Sequence, residues 1–185
     1  MEQDQVKRGR KSRDEFKKDD SNLAKPVSEW RERVVQIRRV TKVVKGGKKL
    51  SFRAVVVVGN GKGLVGMGIG KSNEVLSAIQ KGIADARKNT VTVKIFKKTI
   101  PHPMTGKAGA GKVVLQPAAE GTGIIAGGAA RAVLELSGIE NILCKSLGSD
   151  SPLNSSRATI NALKSMRMFK EAAASRGLSL KQMLE

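Results

Sequence analysis

Between residues 65 and 70, large apolar side chains and glycines alternate without exception: Val65, Gly66, Met67, Gly68, Ile69, Gly70. Period two is the repeat of a β-strand, so one face carries three large side chains while the other is bare backbone. Glycine inside a strand weakens it and packs nothing. Three in alternation therefore imply that something bulky comes unusually close to the bare face. A neighbouring element of the same chain and an RNA backbone are both eligible visitors.

The flanking sequence supplies partners for that strand. Residues 34–44 and 50–58 are rich in β-branched side chains and read as strands. Lys45-Gly46-Gly47-Lys48 turns the first into the second, and Gly59-Asn60-Gly61 turns the second into the glycine strand. A helix is expected over 73–89, capped by Ser72 or Asn73, with Glu74 in its first turn where the helix dipole favours an acid. Its buried stripe would be Leu76, Ile79, Ile83 and Ala86, with Lys81, Asp85 and Lys88 turned away and Gly82 a mild weakness. A short helix over 28–33, anchored by Trp30, would precede the strands. Helix, three strands, helix is the order of a double-stranded-RNA-binding fold. Residues 1–27 lack apolar periodicity and read as a flexible charged tail.

The second half changes character. Residues 91–96 and 113–115 read as strands, with an extended piece near Ile100 between them. A glycine-rich segment, 120–128, opens a helix ending near Leu136, and a strand over 142–147 follows. Ser151-Pro152 is a good N-cap and first-turn pair for a last helix running to about Met166. The expectation is an α+β chain. A double-stranded-RNA-binding-like domain (α-β-β-β-α) over 28–94 precedes a two-layer α/β domain over 95–170, built as three strands, helix, strand, helix. Residues 171–185 form a C-terminal extension.

Charge narrows the partner. The net charge is +19, and residues 31–112 hold nineteen basic and three acidic side chains, with no acid between Glu32 and Glu74. A solvated surface mixes both signs; one sign across a folded region favours a polyanion. The longest aliphatic run, 54–58, is far too short to cross a bilayer, and no strongly amphipathic helix accompanies the charge, so a membrane partner is not expected. With no tyrosine, one tryptophan and four phenylalanines, the chain has few aromatics on which single-stranded bases could stack. Structured RNA, held through phosphates and shape, fits better. The densest cluster is Arg38, Arg39, Lys42, Lys45, Lys48, Lys49 and Arg53 around one hairpin. Lysines that merely guard a strand edge need not be so many.

Catalytic chemistry finds little support. Gly70-Lys71-Ser72 ends like a triphosphate-binding loop, but position 65, where that loop needs glycine, is Val65. Gly61-Lys62-Gly63-Leu64-Val65-Gly66 spells a dinucleotide pattern, yet a strand follows it where a helix is required. The 121–128 glycines could present amides to a phosphate or let helix pack closely on sheet. His102, between Pro101 and Pro103, has no acid partner; Cys144 reads as a small core residue; Glu120 is a lone carboxylate. A single cysteine excludes an internal disulfide and a cysteine zinc site. The first twenty residues mix acids with bases and lack an apolar segment, unlike a secretory or transit peptide. No enzyme activity, cofactor or metal is expected.

Three stretches carry a resemblance: 39–47, reading RVTKVVKGG; 66–71, reading GMGIGK; and above all 117–128, reading PAAEGTGIIAGG. They resemble the bacterial-type small-subunit ribosomal protein five family, from about Glu29 to Leu184, and the wording of 48–60 is most similar to cyanobacterial and plastid forms. The resemblance implies a structural, rRNA-binding component of the small subunit that contributes to translational accuracy, in the bacterial cytoplasm or plastid stroma. It implies a left-handed crossover in the second domain, against the general rule. It also implies contacts with ribosomal proteins four and eight, an approach of residues 42–47 to the mRNA path, and an interface with protein four at Gly123 and Arg131. The expected rRNA-binding residues are Arg38, Arg39, Lys42, Lys45, Gly46, Gly47, Lys48, Lys49, Arg53, Lys62 and Lys71. No homo-oligomer of its own is expected. A free RNA-binding regulator or chaperone using the same hairpin, and a nucleotide-dependent enzyme using the glycine loops, are the competing readings.

Overall fold

The computed structural model describes residues 30–178 and residue 182; the expected tail over 1–27 lies outside them. The first sheet is antiparallel, in the order β1 (Arg31–Val44), β2 (Gly47–Gly59), β3 (Leu64–Ser72), β4 (Thr90–Thr92), with helix α1 (Val75–Lys88) between the last two strands. Alternation sorts β2 cleanly. Ala54, Val56 and Val58 pack on α1, while Val55 and Val57 face the other way with Val65 and Met67.

The visitor to the glycine face is α1. A Cβ at Gly66, Gly68 or Gly70 would lie 2.3 Å from the Ala86 carbonyl oxygen, 2.2 Å from that of Gly82 and 1.8 Å from that of Ala78. No real side-chain atom fits such gaps, so the helix lies directly on strand backbone. The contact is reciprocal, because a Cβ at Gly82 would meet Val56 at 2.9 Å.

This closeness rotates the helix from the expected stripe. Its fully buried line is Ala78, Gly82 and Ala86, the small residues, while Ile79 and Ile83 are half-buried and Leu76 is 67% exposed. Asp85, expected to face away, accepts the Ile69 N–H through Oδ2 at 2.9 Å. Neither Ser72 nor Asn73 caps: Glu74 holds the N-cap position without a side-chain bond, and Asn73 accepts the Ser51 hydroxyl instead.

The expected helix over 28–33 is also overturned where it can be followed, since Arg31–Arg33 extend β1 and pair with Gly59, Val58 and Val57. A six-residue helix is marginal alone, and continuing a long ladder satisfies the same backbone groups. The expected strand over 91–96 shortens to Thr90–Thr92, which closes the first sheet, and Phe96 instead bridges Thr99 across a two-residue turn.

The second sheet comprises β5 (Met104–Ala108), β6 (Gly111–Pro117), β7 (Ile124–Ile125) and β8 (Ile142–Gly148), in the order β5-β6-β8-β7. β7 runs parallel to β8, and α2 (Gly128–Ser137) connects them. Helices α3 (Pro152–Ser165) and α4 (Phe169–Arg176) complete the chain. β5 begins four residues beyond Ile100, which is buried outside any strand, and the short β7 lies inside the glycine-rich segment expected to open a helix. α4 falls mostly where only an extension was expected. Its Phe169 packs edge-to-face on Phe96, centroids 5.2 Å apart, and Glu171 pairs with Lys94.

One core serves both sheets. Val55, Val57, Val65 and Met67 from the first meet Leu134, Leu136, Ile139, Ala158, Leu163 and Met166 from the second half. The first sheet is thus covered on one face by α1 and on the other by α2 and α3.

Candidate nucleic-acid interface

Beyond this covered region the β1–β2 hairpin continues into solvent. From Thr41 to Leu50 every residue except half-buried Val44 is exposed, and Val43 is 73% exposed. The register decides how the cations are arranged. Lys42 lies opposite Lys49, Arg38 opposite Arg53, and Arg53 opposite Lys71 on β3. These five share one face of the sheet; Arg39 and Lys48 occupy the other, and Lys45 and Gly46 form the tip.

Like charges directly opposite on neighbouring strands repel, where an opposite pair would contribute a few tenths to about 1 kcal/mol. A sheet designed for stability alone would place acids across from these residues. Among the described residues no acid pairs with Arg38, Arg39, Lys42, Lys45, Lys48, Lys49, Arg53 or Lys71, and the enclosed Nε of half-buried Arg53 finds no acceptor. Several cations of the body, by contrast, do pair: Arg87 bonds Glu32 at 2.9 Å, Lys98 bonds Glu140 at 2.9 Å, and Arg33 pairs with Glu135. The hairpin therefore presents a concentrated positive field with fixed geometry to any polyanion that docks on it.

Lys62 does not join this cluster. It sits in the β2–β3 turn, beyond the opposite end of β2 from Lys49; the ten residue steps from Lys49 to Gly59 alone span about 33 Å at roughly 3.3 Å per residue. That turn has another task. Gly61 N–H donates to the Leu136 carbonyl at 3.0 Å and Gly63 N–H to that of Ser137 at 2.9 Å, so the turn closes the C-terminus of α2. Gly138, with φ of +89°, completes the junction; a Cβ there would stand 2.1 Å from the Gly61 carbonyl oxygen. The amides of the apparent dinucleotide motif are already committed to carbonyls, which explains the glycines without a phosphate.

At Gly121 and Gly123 the glycine-rich segment is already engaged. Gly121 and Gly123 N–H groups both donate to Asn141 Oδ1, at 3.1 and 3.0 Å, so they are not free for a phosphate. Nor do these glycines permit tight packing, since a Cβ at Gly121, Gly123, Gly127 or Gly128 would meet nothing within 4 Å. The left-handed φ at Gly123, +74°, bends the chain so that two amides converge on one side chain.

The remaining reactive candidates hold structure. His102 Nδ1 lies 3.0 Å from the Pro103 carbonyl, and its Nε2 accepts the Arg167 N–H at 3.3 Å, which ties the loop to the α3–α4 link. Burial pushes the Cys144 thiol up to about 11, away from the thiolate a nucleophile requires. Among the described residues no group of three or more His, Cys, Asp or Glu side chains could hold a metal, and no helix is long and apolar enough to cross a membrane.

Comparison with known proteins places this architecture. Residues 30–94 match the family model described as ribosomal protein S5, N-terminal domain, and residues 106–176 the model described as ribosomal protein S5, C-terminal domain. Small ribosomal subunit protein uS5 of Acaryochloris marina is 59% identical over 157 residues, 84% of this chain and 89% of that protein. This chain belongs to the ribosomal protein S5 family. Its relatives in that family include small ribosomal subunit protein uS5 of Trichormus variabilis, 52% identical over 176 residues, 95% of this chain and 97% of its own. Small ribosomal subunit protein uS5c of Pyropia yezoensis is 55% identical over 157 residues, 84% of this chain and 90% of its own.

In this family member Gly123 immediately precedes β7, and Arg131 projects from the exposed side of α2, its own N–H bonded to the Gly127 carbonyl at 2.8 Å. Sequence reasoning missed Asn141 and Asp85 as polar side chains that anchor backbone amides at joints between elements. Asn141 is 5% exposed among apolar neighbours. A lone Asn between Glu140 and Ile142 carries no local signal of that role.

Proposed function

We propose that this chain is a structural, non-enzymatic constituent of the small ribosomal subunit, held to its rRNA through the outer half of the β1–β2 hairpin. The observation that carries the reading is the pair of cross-strand cation rungs, Lys42–Lys49 and Arg38–Arg53–Lys71, with no acid to neutralise them. Repulsion built into a two-stranded arm is relieved when phosphates settle between the rungs. That the relatives are named small ribosomal subunit proteins uS5 and uS5c supports reading that RNA as small-subunit rRNA, in a bacterial cytoplasm or plastid stroma. Arg39, Lys45, Gly46, Gly47 and Lys48 complete the arm, whose tip lies near the mRNA path. Lys71 joins through the shared face, and Lys62 would meet RNA separately, at the far end of the sheet.

In this proposal residues 28–94 act as a double-stranded-RNA-binding-like domain and 95–170 as the C-terminal domain. Residues 171–185 are an extension, and β7–α2–β8 forms a left-handed crossover. Ribosomal proteins four and eight are its protein neighbours; Gly123 and Arg131 face protein four and bear on decoding accuracy.

Sedimentation of a lysate at high salt tests the whole reading. Comigration with small subunits as salt rises supports it, and protein left at the top of the gradient would make a free RNA-binding regulator the better account. The double change Lys45→Glu with Lys48→Glu is expected to weaken rRNA binding and flatten its salt dependence by about 0.9 in log–log slope per lost phosphate contact. An unchanged slope removes the tip from the interface. Arg131→Ala is expected to alter misreading with rRNA affinity intact, and an affinity defect alone contradicts the protein-four assignment.

A further inference from the structure

Where β3 and α1 of the first half meet α3 of the second, their packing leaves a cleft of about 280 Å³, near the roughly 300 Å³ at which small-ligand sites begin. Met67 and Ile69 wall it from β3 and Ile160 from α3. Asp85 and Asn89 enter from α1, one turn apart, and Arg157 and Asn161 from α3, likewise one turn apart. The acid is firmly held. Asp85 Oδ2 accepts the Ile69 N–H at 2.9 Å and Oδ1 the Asn89 side-chain amide at 3.2 Å, which leaves each oxygen a further lone pair. Asp85 is half-buried, whereas Arg157 is exposed and has no acid partner among the described residues. The Asn161 side-chain amide donates to the Lys107 carbonyl at 3.0 Å. Ile69 lies two residues before Lys71 on the same face of β3, so the cleft opens about 7 Å from the Arg38–Arg53–Lys71 rung, at roughly 3.3 Å per residue.

We infer that this cleft takes one unpaired guanine of the rRNA, extruded from its helix. The base lies against Met67, Ile69 and Ile160, its Watson–Crick edge meets Asp85, and its phosphate meets Arg157. The inference rests on the ribosomal reading above. Folded RNA is read in sequence chiefly at loops and bulges, where a splayed base packs on side chains and offers its edge for hydrogen bonding. A carboxylate offers acceptors alone. Among the four bases only guanine carries two adjacent donors, N1–H and the N2 amine, on that edge. Adenine and cytosine would turn a ring acceptor toward Asp85, and uracil flanks its one donor with two carbonyls. An acceptor set against a buried carboxylate leaves both without a partner. Arg157 at the mouth supplies the charge that the phosphate needs, and the neighbouring rung can receive the next phosphate along the strand. A free nucleotide would fill the cleft without reaching that rung. An arginine from a neighbouring protein could also satisfy Asp85, but it would bring a cation up to Arg157 and Lys71, which already lack acids.

The test probes small subunits, isolated by sedimentation, with kethoxal, which attacks guanine at N1 and the N2 amine. One unpaired guanine is expected to be shielded in subunits carrying the parent chain. Asp85→Asn keeps an oxygen for the Ile69 N–H but turns a donor toward the base, and should raise the reactivity of that guanine about tenfold, within the range of a single bidentate base contact. Arg157→Glu leaves the bonds around Asp85 in place and should expose the same guanine. If Asp85→Asn fails to enter the subunit, Arg157→Glu carries the test alone. Incorporated variants that expose no guanine, or different ones, overturn the cleft site and leave the ribosomal reading standing. A photo-crosslinking amino acid at position 157 should join that same guanosine; a protein adduct in its place also overturns the site. Absence of the parent protein from small subunits overturns the ribosomal reading and this site with it.

Discussion

The two ends of strand β2 obey opposite rules. From Ala54 to Val58 every side chain is buried, alternately against α1 and against the shared core, and the neighbouring cations Arg33 and Arg87 each have an acid. From Gly47 to Leu50 the same strand, in the same ladder, is exposed and faces Val43, Lys42 and Thr41 with no acid at hand. Hydrogen bonding is continuous across the boundary, so the backbone does not distinguish the two halves. Side chains alone do: one end is optimised for its own stability, and the other carries a repulsion that only an outside partner removes. A bulge between Val34 and Gln36 lets Val35 reach the core on the inner half, while the ladder beyond runs regularly to the tip.

The largest expected effect comes from breaking the inner end. Gly70→Val would drive a side chain into the Ala78 carbonyl, 1.8 Å from where its first atom must stand. Neither strand nor helix backbone can yield without separating, so a loss of about 4 kcal/mol or more is expected, at the extreme of single substitutions. Thermal unfolding of the purified chain measures it; a shift of only a degree or two would mean that α1 does not sit on this strand as described.

At the outer end stability and binding should come apart. Lys42→Ala with Lys49→Ala removes an exposed, self-repelling pair, so stability is expected to change by about 0.5 kcal/mol or less. The salt dependence of rRNA binding should nevertheless fall by about 1.8 in log–log slope, for two lost contacts. A variant that unfolds earlier and keeps its slope would make these lysines structural and erase the distinction between the two ends.

How much of this was legible in the sequence follows the same division. The hairpin cations could be found from spacing alone, because exposure lets their chemistry show in the sequence, but the rungs they form depend on register. Residues 142–147 and the Pro152 helix were readable for a related reason: local pattern and capping residues agree with the tertiary structure. The α1 stripe was misread because hydrophobic periodicity weighs side-chain size, and here the glycine strand selects the smallest side chains for the closest face. Leu76 obeyed the period and is nonetheless exposed. The Gly61–Gly66 motif leads into a strand, as the sequence indicates, but its use at the end of α2 required a partner more than 70 residues away.

The smallest expected effect concerns a cation of the paired kind, and it checks that pairing in the body is real. Lys94 and Glu171 join the end of the first half to α4, and the hydrogen bond from Lys94 holds the Glu171 carboxyl below its ordinary 4.5. A carboxyl with a depressed folded value binds fewer protons folded than unfolded, so its contribution is fully present above about pH 4.5 and is lost as pH falls through the folded value. Glu171→Gln should therefore lower the stability of α4 slightly at pH 7 and leave it unchanged, relative to the parent, at the acid end of that window. Amide hydrogen exchange over α4 reads this locally. No difference even at pH 7 would mean that Glu171 acts through its bond to the Met168 N–H, which glutamine can also accept, and not through its charge. Setting the same measurement on the hairpin completes the contrast: Lys42 and Lys49 have no carboxylate to titrate, so acid should leave the protection of the outer ladder unmoved across that interval.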